Sequence, residues 1–506
     1  MYTVADLLLS NAHTRAGAPA VIDGPDVLTY RQLADRAHHI AGHLAARLPA
    51  GSRVALLLPR SADALTAYFA THLASLVPLF IHDQLRPRQI AHIVDHSEAS
   101  LALTNRRLAA RLEGALPQED ILIPEDLLQA PAAAPTTTAT IGRDLAGLIY
   151  TSGSTGTAKG VMLSHDNLLS GARIVADYLG LTHEDRTLAL MPFSFDYGLN
   201  QVLATFHAGG TVVIQRSAFA PDISRTLLEH EVTGLAGVPS LWTDLLHPRS
   251  PFITTHYPSL RYLTNTGGPL TPTTVKALRS AHPQLAVFAM YGLTEAFRST
   301  YLDPTRIDSK PTSVGQAIPG CRVDVLDENG TPCPPGVVGE IVHRGPTVTL
   351  GYWRDPDTTV LVFRTRAGLP PPWTETVVHS GDLGYTDTDG DLYITGRRDD
   401  LTKIHGIRVT PAEIEAAIAA SGLTAGVVAL IVQDPDGRPD PSVLVAVEPH
   451  DPSFTLDALS AHCSAELPPH MRPHHIQVVD TLPRTPHGKP DRNRIQVLFT
   501  KAGADR

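Results

Sequence analysis

Along the first 145 residues, short apolar runs alternate with longer segments whose apolar side chains recur at helical spacing. Arg53 to Leu58 (RVALLL) and Val77 to Ile81 read as buried strands. Tyr30 to Ala46 reads as a helix with Leu33, Ala37, Ile40, Ala41 and Leu44 on one face, and Ala62 to Leu76 as another. This alternation predicts helices packed on a parallel sheet. Ala130 to Thr140 is polar and low in complexity, which predicts a linker or surface excursion.

Further on, Leu148 to Tyr150 reads as a strand end, and a helix pattern starts at Ser164 with Leu168, Ala172, Val175 and Leu179 on one face. Strands are expected at Thr187–Met191, Thr211–Gln215, Gly234–Val238, Arg261–Thr264 and Ala286–Met290. Several deliver loops that carry glycines and polar groups: PFSFDYGLNQ, NTGGPL and YGLTEA. Open α/β sheets hold their ligands at such carboxyl ends. From Ser313 the pattern turns to short strands and tight turns, with strands at Cys321–Leu326, Gly339–His343 and Asp391–Thr395. GRRDD (Gly396–Asp400) reads as a charged turn and candidate hinge. Beyond it, helices at Pro411–Ala420 and Leu456–Leu467 and strands at Val427–Val432 and Ser442–Val447 predict a small α+β unit.

Composition narrows the function classes. A chain of 506 residues predicts roughly two to four domains. With 43% hydrophobic and 18% charged residues it can build a large core, and no run of about 18 apolar residues offers a transmembrane helix. The net charge of −10, without long charge runs, argues against a general nucleic-acid or membrane binder. MYTVADLLLSNAH lacks a basic leader and reads as an amphipathic helix of the mature protein. Cys321, Cys333 and Cys463 show no metal-ligand spacing and fit a reducing cytoplasmic compartment. His470, His474 and His475 cluster among prolines, which suits a solvated turn or, as the alternative, a metal site.

Several stretches carry candidate chemistry. In TSGSTGTAKG, Gly153, Gly156 and Gly160 free backbone N–H groups, Thr151, Ser152, Ser154 and Thr155 add donors, and Lys159 adds a cation. That set suits a polyphosphate or, as the alternative, a flexible surface loop, and the missing Gly-Lys-Ser/Thr ending separates it from a Walker loop. In YGLTE, Thr294 can donate to a phosphate oxygen and Glu295 can hold Mg²⁺ beside a triphosphate, while the pentapeptide alone suits any strand-to-loop junction. Asp382 and Arg397 suit ribose hydroxyls or, equally, a turn cap or ion pair, and Lys489 stands on a turn shaped by proline and glycine. Asp196 among Phe193, Phe195, Tyr197 and Leu199, and Arg298 after Phe297, are charges in aromatic settings. They pair with protein groups or await a ligand.

In order and spacing, TSGSTGTAKG, YGLTE, SGDLG, GRRDD with KIHGIRVTPAEIE, and PRTPHGKPDR resemble the AMP-forming adenylating superfamily from about residue 5 to 496. Its members include acyl-CoA and aryl-CoA synthetases, nonribosomal peptide synthetase adenylation domains and luciferases. The resemblance implies a large N-terminal α/β domain with a β subdomain (1–396) and a small mobile α+β C-terminal domain (397–506). It implies ATP and Mg²⁺, with Ser152 to Lys159 on the phosphates, Thr294 and Glu295 on phosphate and metal, and Gly267, Gly268 and Tyr291 bordering adenine. Asp382 and Arg397 would hold ribose, Asp399 would be the hinge, and Lys489 would contact carboxylate and α-phosphate. Ala158 stands where the family usually has proline, and Ser380 where threonine is common.

By the same resemblance, Asp196 falls where amino-acid-activating members hold the substrate ammonium, and Arg298 where some stand-alone enzymes use a base for a second carboxylate. Tyr197, Asn200, Thr264, Thr266, Met290 and Ser299 would complete a moderately polar acid pocket. The expected reaction is adenylation of a polar or amino-bearing acid, then transfer to a carrier-protein phosphopantetheine or to CoA. The alternatives are an acyl- or aryl-CoA ligase that recognises no amino group, adenylation of an oxyanion such as nitrite, and a non-catalytic nucleotide binder.

Overall fold

The computed structural model describes residues 2–131, 140–152, 158–366, 368–370, 372–398, 402–404, 407–432, 441–450, 454–486 and 488–502. Most of the expected linker at 130–140 and the hinge candidate Asp399 lie outside them.

The central sheet has nine strands, ordered Gln316–Ala317, Thr300–Tyr301, Ala286–Tyr291, Tyr262–Asn265, Gly234–Gly237, Arg186–Ala189, Thr211–Ile214, Pro19–Asp23 and Asp26–Thr29. Its six inner strands are parallel and its edges antiparallel. The run of apolar β-branched residues in Thr211–Ile214 is buried throughout, as expected of a strand covered on both faces. A second, all-parallel sheet is ordered Val77–Phe80, Arg53–Leu57, Ala99–Thr104, Ile121–Leu122. Helices Tyr30–Ala45 and Ala62–Leu73 lie among the buried residues that join these two sheets in one core. Thr29 and Gln32 form a reciprocal capping box at the start of the first of them.

Three readings of the sequence change on folding. The apolar run at Leu148 extends into a strand, Leu145–Ser152, which pairs antiparallel with Ala158–Ser164. Thr151 and Lys159 are therefore cross-strand partners rather than loop residues. The charged turn expected from Gly396 begins as a strand: Leu392–Arg397 pairs with Thr376–Thr386 in a five-stranded antiparallel sheet. Among the described residues, the histidine cluster is not a metal group. His474 accepts from Val443 N–H at 3.0 Å, and His475 packs edge-on against Phe499.

The C-terminal residues build their own core. Ile404, Val409, Ile414, Ile418, Ala429, Val443, Val445 and Leu459 are buried together. They lie around a three-stranded sheet of Thr424–Val432, Ser442–Pro449 and His475–Val478.

Candidate active site

Four neighbouring parallel strands of the central sheet bring their carboxyl ends side by side, and the candidate residues follow directly from them. Arg186–Ala189 leads to Asp196, Gly234–Gly237 to Val238 and Ser240, Tyr262–Asn265 to Thr266, Gly267 and Gly268, and Ala286–Tyr291 to Thr294 and Glu295. Gly267 has φ of +79°, and a methyl group there would lie 3.3 Å from Val238 and 3.6 Å from Lys489 Cε. The positive φ, rather than crowding by the lysine, is what favours glycine here. Lys489 of the C-terminal unit thus stands over the strand ends, beside Gly267 and near Phe195.

The nucleotide-side wall is an interlocked set of polar groups. Tyr291 donates its hydroxyl to Asp382 Oδ2 at 2.5 Å, and Arg397 Nη1 meets Asp382 Oδ1 at 2.9 Å. Asp382 is further held through its N–H by Ser380 Oγ at 3.0 Å. Burial, and then the adjacent Asp382 carboxylate, push the Tyr291 hydroxyl well above its ordinary pKa, so it stays a donor.

Glu295 lies in a single 3₁₀ turn, Thr294–Ala296, and the next residue, Phe297, is fully buried at φ +53°. A left-handed bulky residue is strained, and the packing of its ring against Gly171 fixes it there. Burial raises the Glu295 carboxyl pKa, and a hydrogen bond from Tyr352 at 2.6 Å opposes that rise. The Tyr352 ring also lies 5.5 Å from Lys159 Nζ, which donates to Thr358 at 3.2 Å and pairs with Asp355 at 3.5 Å. Thr349 donates its N–H and hydroxyl to the Glu295 carbonyl at 2.9 and 3.0 Å. Tyr352, Thr349 and His343, which contacts Tyr291 at 3.4 Å, escaped the sequence reading. Only the GYW triplet at Gly351–Trp353, a glycine before two aromatics, signals a close approach there.

The residues expected to form the acid pocket are arranged differently. Asp196 opens helix Asp196–Ala208, and Asn200 stands one turn later on the same face. Asp196, Asn200, Thr264, Thr266, Met290, Arg298 and Ser299 are all buried. Tyr197 donates to the Thr264 carbonyl at 2.8 Å and lies 2.5 Å from the Thr264 hydroxyl, so both hydroxyls are already engaged. The Arg298 guanidinium lies 4.9 Å from the Tyr197 ring centre, a cation–π contact. Among the described residues, no ion pair joins Arg298 to Asp196. The amide of Asn200, Arg298 Nε, Ser299 Oγ and Thr300 Oγ1 are buried without hydrogen-bond partners. Burial raises the Asp196 carboxyl pKa, while Arg298 and Lys489 act in the opposite sense.

Of the phosphate-loop candidates, Gly153, Ser154, Thr155 and Gly156 lie outside the described residues, as does the side chain of Ser152. The hairpin strands end at Ser152 and restart at Ala158, so both ends of that segment are fixed. The one group among the described residues with metal-ligand spacing is Asp387, Asp389 and Asp391. Lys310 donates to these three carboxylates at 2.5, 2.7 and 2.6 Å.

The AMP-binding enzyme family model matches residues 8–353, and the model of that family's C-terminal domain matches residues 413–489. The chain belongs to the AMP-binding enzyme family. These enzymes are AMP-forming ligases, and three relatives bound the likeness. Novobiocin biosynthesis protein H of Streptomyces niveus is 31% identical over 97% of this chain and 82% of its own. Tyrocidine synthase 2 of Brevibacillus parabrevis is 29% identical over 97% of this chain, which spans only 14% of that relative. The o-succinylbenzoate CoA synthetase of Bacillus subtilis, solved with ATP and magnesium ion, matches with TM-score 0.85 at 25% identity over 97% of this chain and 99% of its own. Among the described residues of this AMP-binding enzyme, no helix is long and apolar enough to cross a membrane.

Proposed function

We propose that this AMP-binding enzyme adenylates a small polar or amino-bearing carboxylic acid with ATP, releases pyrophosphate, and passes the acyl group to a thiol. One observation carries the choice of acid: buried Asn200, Arg298 and Ser299 hold polar atoms that have no hydrogen-bond partner among the described residues. Unmet buried donors and acceptors reject a long alkyl chain, because covering them leaves their desolvation uncompensated.

In this reading a carboxylate oxygen attacks the α-phosphorus, the bond to the β-phosphate oxygen breaks, and a mixed anhydride forms with pyrophosphate as leaving group. Lys489 neutralises charge on the attacking carboxylate and α-phosphate oxygens. Lys159, Thr151, Ser152 and the segment from Gly153 to Gly156 cradle the leaving phosphates, with Thr294 as a further donor. Gly267, Gly268 and Tyr291 border the base, and Asp382 with Arg397 receives the ribose hydroxyls. One buried carboxylate facing substrate phosphates fits Mg²⁺, which favours few protein ligands. Glu295 would hold it, and when bound it offsets phosphate charge. Division at 396/397, with Asp399 as hinge, lets the C-terminal unit carry Lys489 away before the thiol attacks. The separate C-terminal core supports that division. The acceptor is a carrier-protein phosphopantetheine or CoA.

A second reading has a contact in its favour. Asp196 Oδ1 accepts from Tyr197 N–H at 2.8 Å, a use at a helix start that requires no substrate amine. An acyl- or aryl-CoA ligase without amino recognition is then the outcome.

ATP–pyrophosphate exchange with a panel of amino acids, dicarboxylates, aminobenzoates, nitrite and palmitate tests the proposal, with mass spectrometry of the adenylate. Exchange with small polar acids is expected, and exchange with palmitate alone overturns it. Asp196→Asn tests for amino recognition, since only an amino-bearing substrate requires its charge.

A further inference from the structure

The segment from Thr349 to Trp353 is hydrogen-bonded on one side to the strand that carries Lys159 and on the other to Glu295. Toward the strand, Leu350 N–H donates to the Met162 carbonyl and Met162 N–H to the Gly351 carbonyl, both at 2.9 Å. Trp353 N–H donates to the Gly160 carbonyl at 2.8 Å, and Val161 and Tyr352 form an antiparallel bridge. These bonds fix the segment along Ala158–Ser164. Toward Glu295, Thr349 holds the backbone carbonyl through its N–H and its hydroxyl.

The triplet GYW builds this crossing. Gly351 has φ of +117°, and a methyl group there would lie 2.6 Å from the Thr359 side chain, so only glycine fits. Tyr352 N–H donates to Thr359 Oγ1 at 2.9 Å, and its ring packs edge-on against Phe363 with centres 5.6 Å apart. Trp353 anchors the far end, its Nε1–H donating to the His96 carbonyl at 3.1 Å. Tyr352, 8% exposed, is thereby held with its hydroxyl 2.6 Å from Glu295 Oε1 and its ring centre 5.5 Å from Lys159 Nζ.

We infer that Tyr352 is a positioning residue for the metal: its hydroxyl fixes the Glu295 carboxylate in register with Lys159, so that Mg²⁺ and the lysine meet one triphosphate together. The inference rests on the roles proposed above for Glu295 and Lys159. Glu295 stands in a single 3₁₀ turn, which does not by itself orient a carboxylate, and the phenol supplies that orientation before the metal arrives.

The test uses the full chain as wild type, Tyr352→Phe, Glu295→Gln and the double variant. Tyr352→Phe keeps the ring against Phe363 and beside Lys159 and loses only the hydroxyl. Calorimetry without any acid substrate measures ATP affinity with Mg²⁺ and with EDTA. The gain in affinity that Mg²⁺ confers is expected to fall about tenfold in Tyr352→Phe, while metal-free ATP affinity stays within about twofold of wild type. In pyrophosphate exchange over the acid panel, the Mg²⁺ concentration for half-maximal rate rises about fivefold and the rate at saturating Mg²⁺ is kept. The double variant loses no more than Glu295→Gln, because the hydroxyl acts through that carboxylate. Equal losses of ATP affinity with and without metal, or additive losses in the double variant, overturn the inference. Glu295→Gln judges the underlying reading. If it keeps the full gain from Mg²⁺, Glu295 does not hold the metal and both fall; if it loses the gain while Tyr352→Phe keeps it, only the inference falls.

Discussion

The two walls of the candidate site handle buried polarity in opposite ways. On the nucleotide side, Tyr291, Asp382, Arg397, Glu295 and Tyr352 engage one another at hydrogen-bond distance. The exception is His343, whose Nδ1 is buried without a partner. On the acid side, Asn200, Arg298 Nε, Ser299 and Thr300 have unmet hydrogen-bonding capacity. A wall whose groups are already oriented receives a nucleotide with little rearrangement, and it contributes to stability meanwhile. A pocket with unmet groups costs stability, about 1–3 kcal/mol for each truly dry group, until a ligand meets them. On the proposed function, the difference separates what all substrates would share from what would select one of them.

Cutting the wall should have the largest effect. Asp382→Ala removes the acceptor of Tyr291 and the partner of half-exposed Arg397. The expected outcome is a loss of about 3 kcal/mol in urea unfolding, mostly from the stranded Tyr291 hydroxyl, together with weaker ATP binding by calorimetry. A loss below about 0.5 kcal/mol, the scale of a surface substitution, would make the wall a passive surface.

Acid titration sharpens the comparison next. Burial lowers the His343 pKa to about 3 from its ordinary 6.5. The folded state then binds fewer protons than the unfolded chain between these values, so stability is full above pH 6.5 and falls as pH drops toward 3. The share due to His343 is about 2 kcal/mol between pH 7 and 5. Unfolding of His343→Gln should lose stability less steeply over that range, and an identical slope would show that His343 is solvated.

The smallest expected effect has the opposite sign. Asn200→Leu replaces an unpartnered buried amide by an apolar group of similar size. Stability should rise by about 1 kcal/mol while acid-dependent pyrophosphate exchange falls. If stability falls instead, Asn200 is satisfied in solution and the contrast between the walls disappears.

Much of the fold was legible because burial on a sheet or helix face leaves a period in the sequence. The helix start at Ser164 is marked by a cap, and Leu168, Ala172, Val175 and Leu179 are all buried as their spacing predicts. The charged stretch from Gly396 misled because Gly and Arg belong to turns by composition. The ladder with Thr376–Thr386, a partner distant in sequence, makes Leu392–Arg397 a strand.

The sequence by itself determined the architecture and the family and named the candidate residues of the site, since apolar period and motif order are properties of the chain alone. Tertiary structure decided which of those residues are engaged and which are not. Thr264 and Tyr197 look like open pocket hydroxyls in sequence, yet they satisfy each other. Tyr352 is marked in sequence only by the glycine before it, yet its hydroxyl donates to Glu295. Hydrogen bonds are directional and short, so whether a polar group is met depends on which segments the fold brings within about 3 Å.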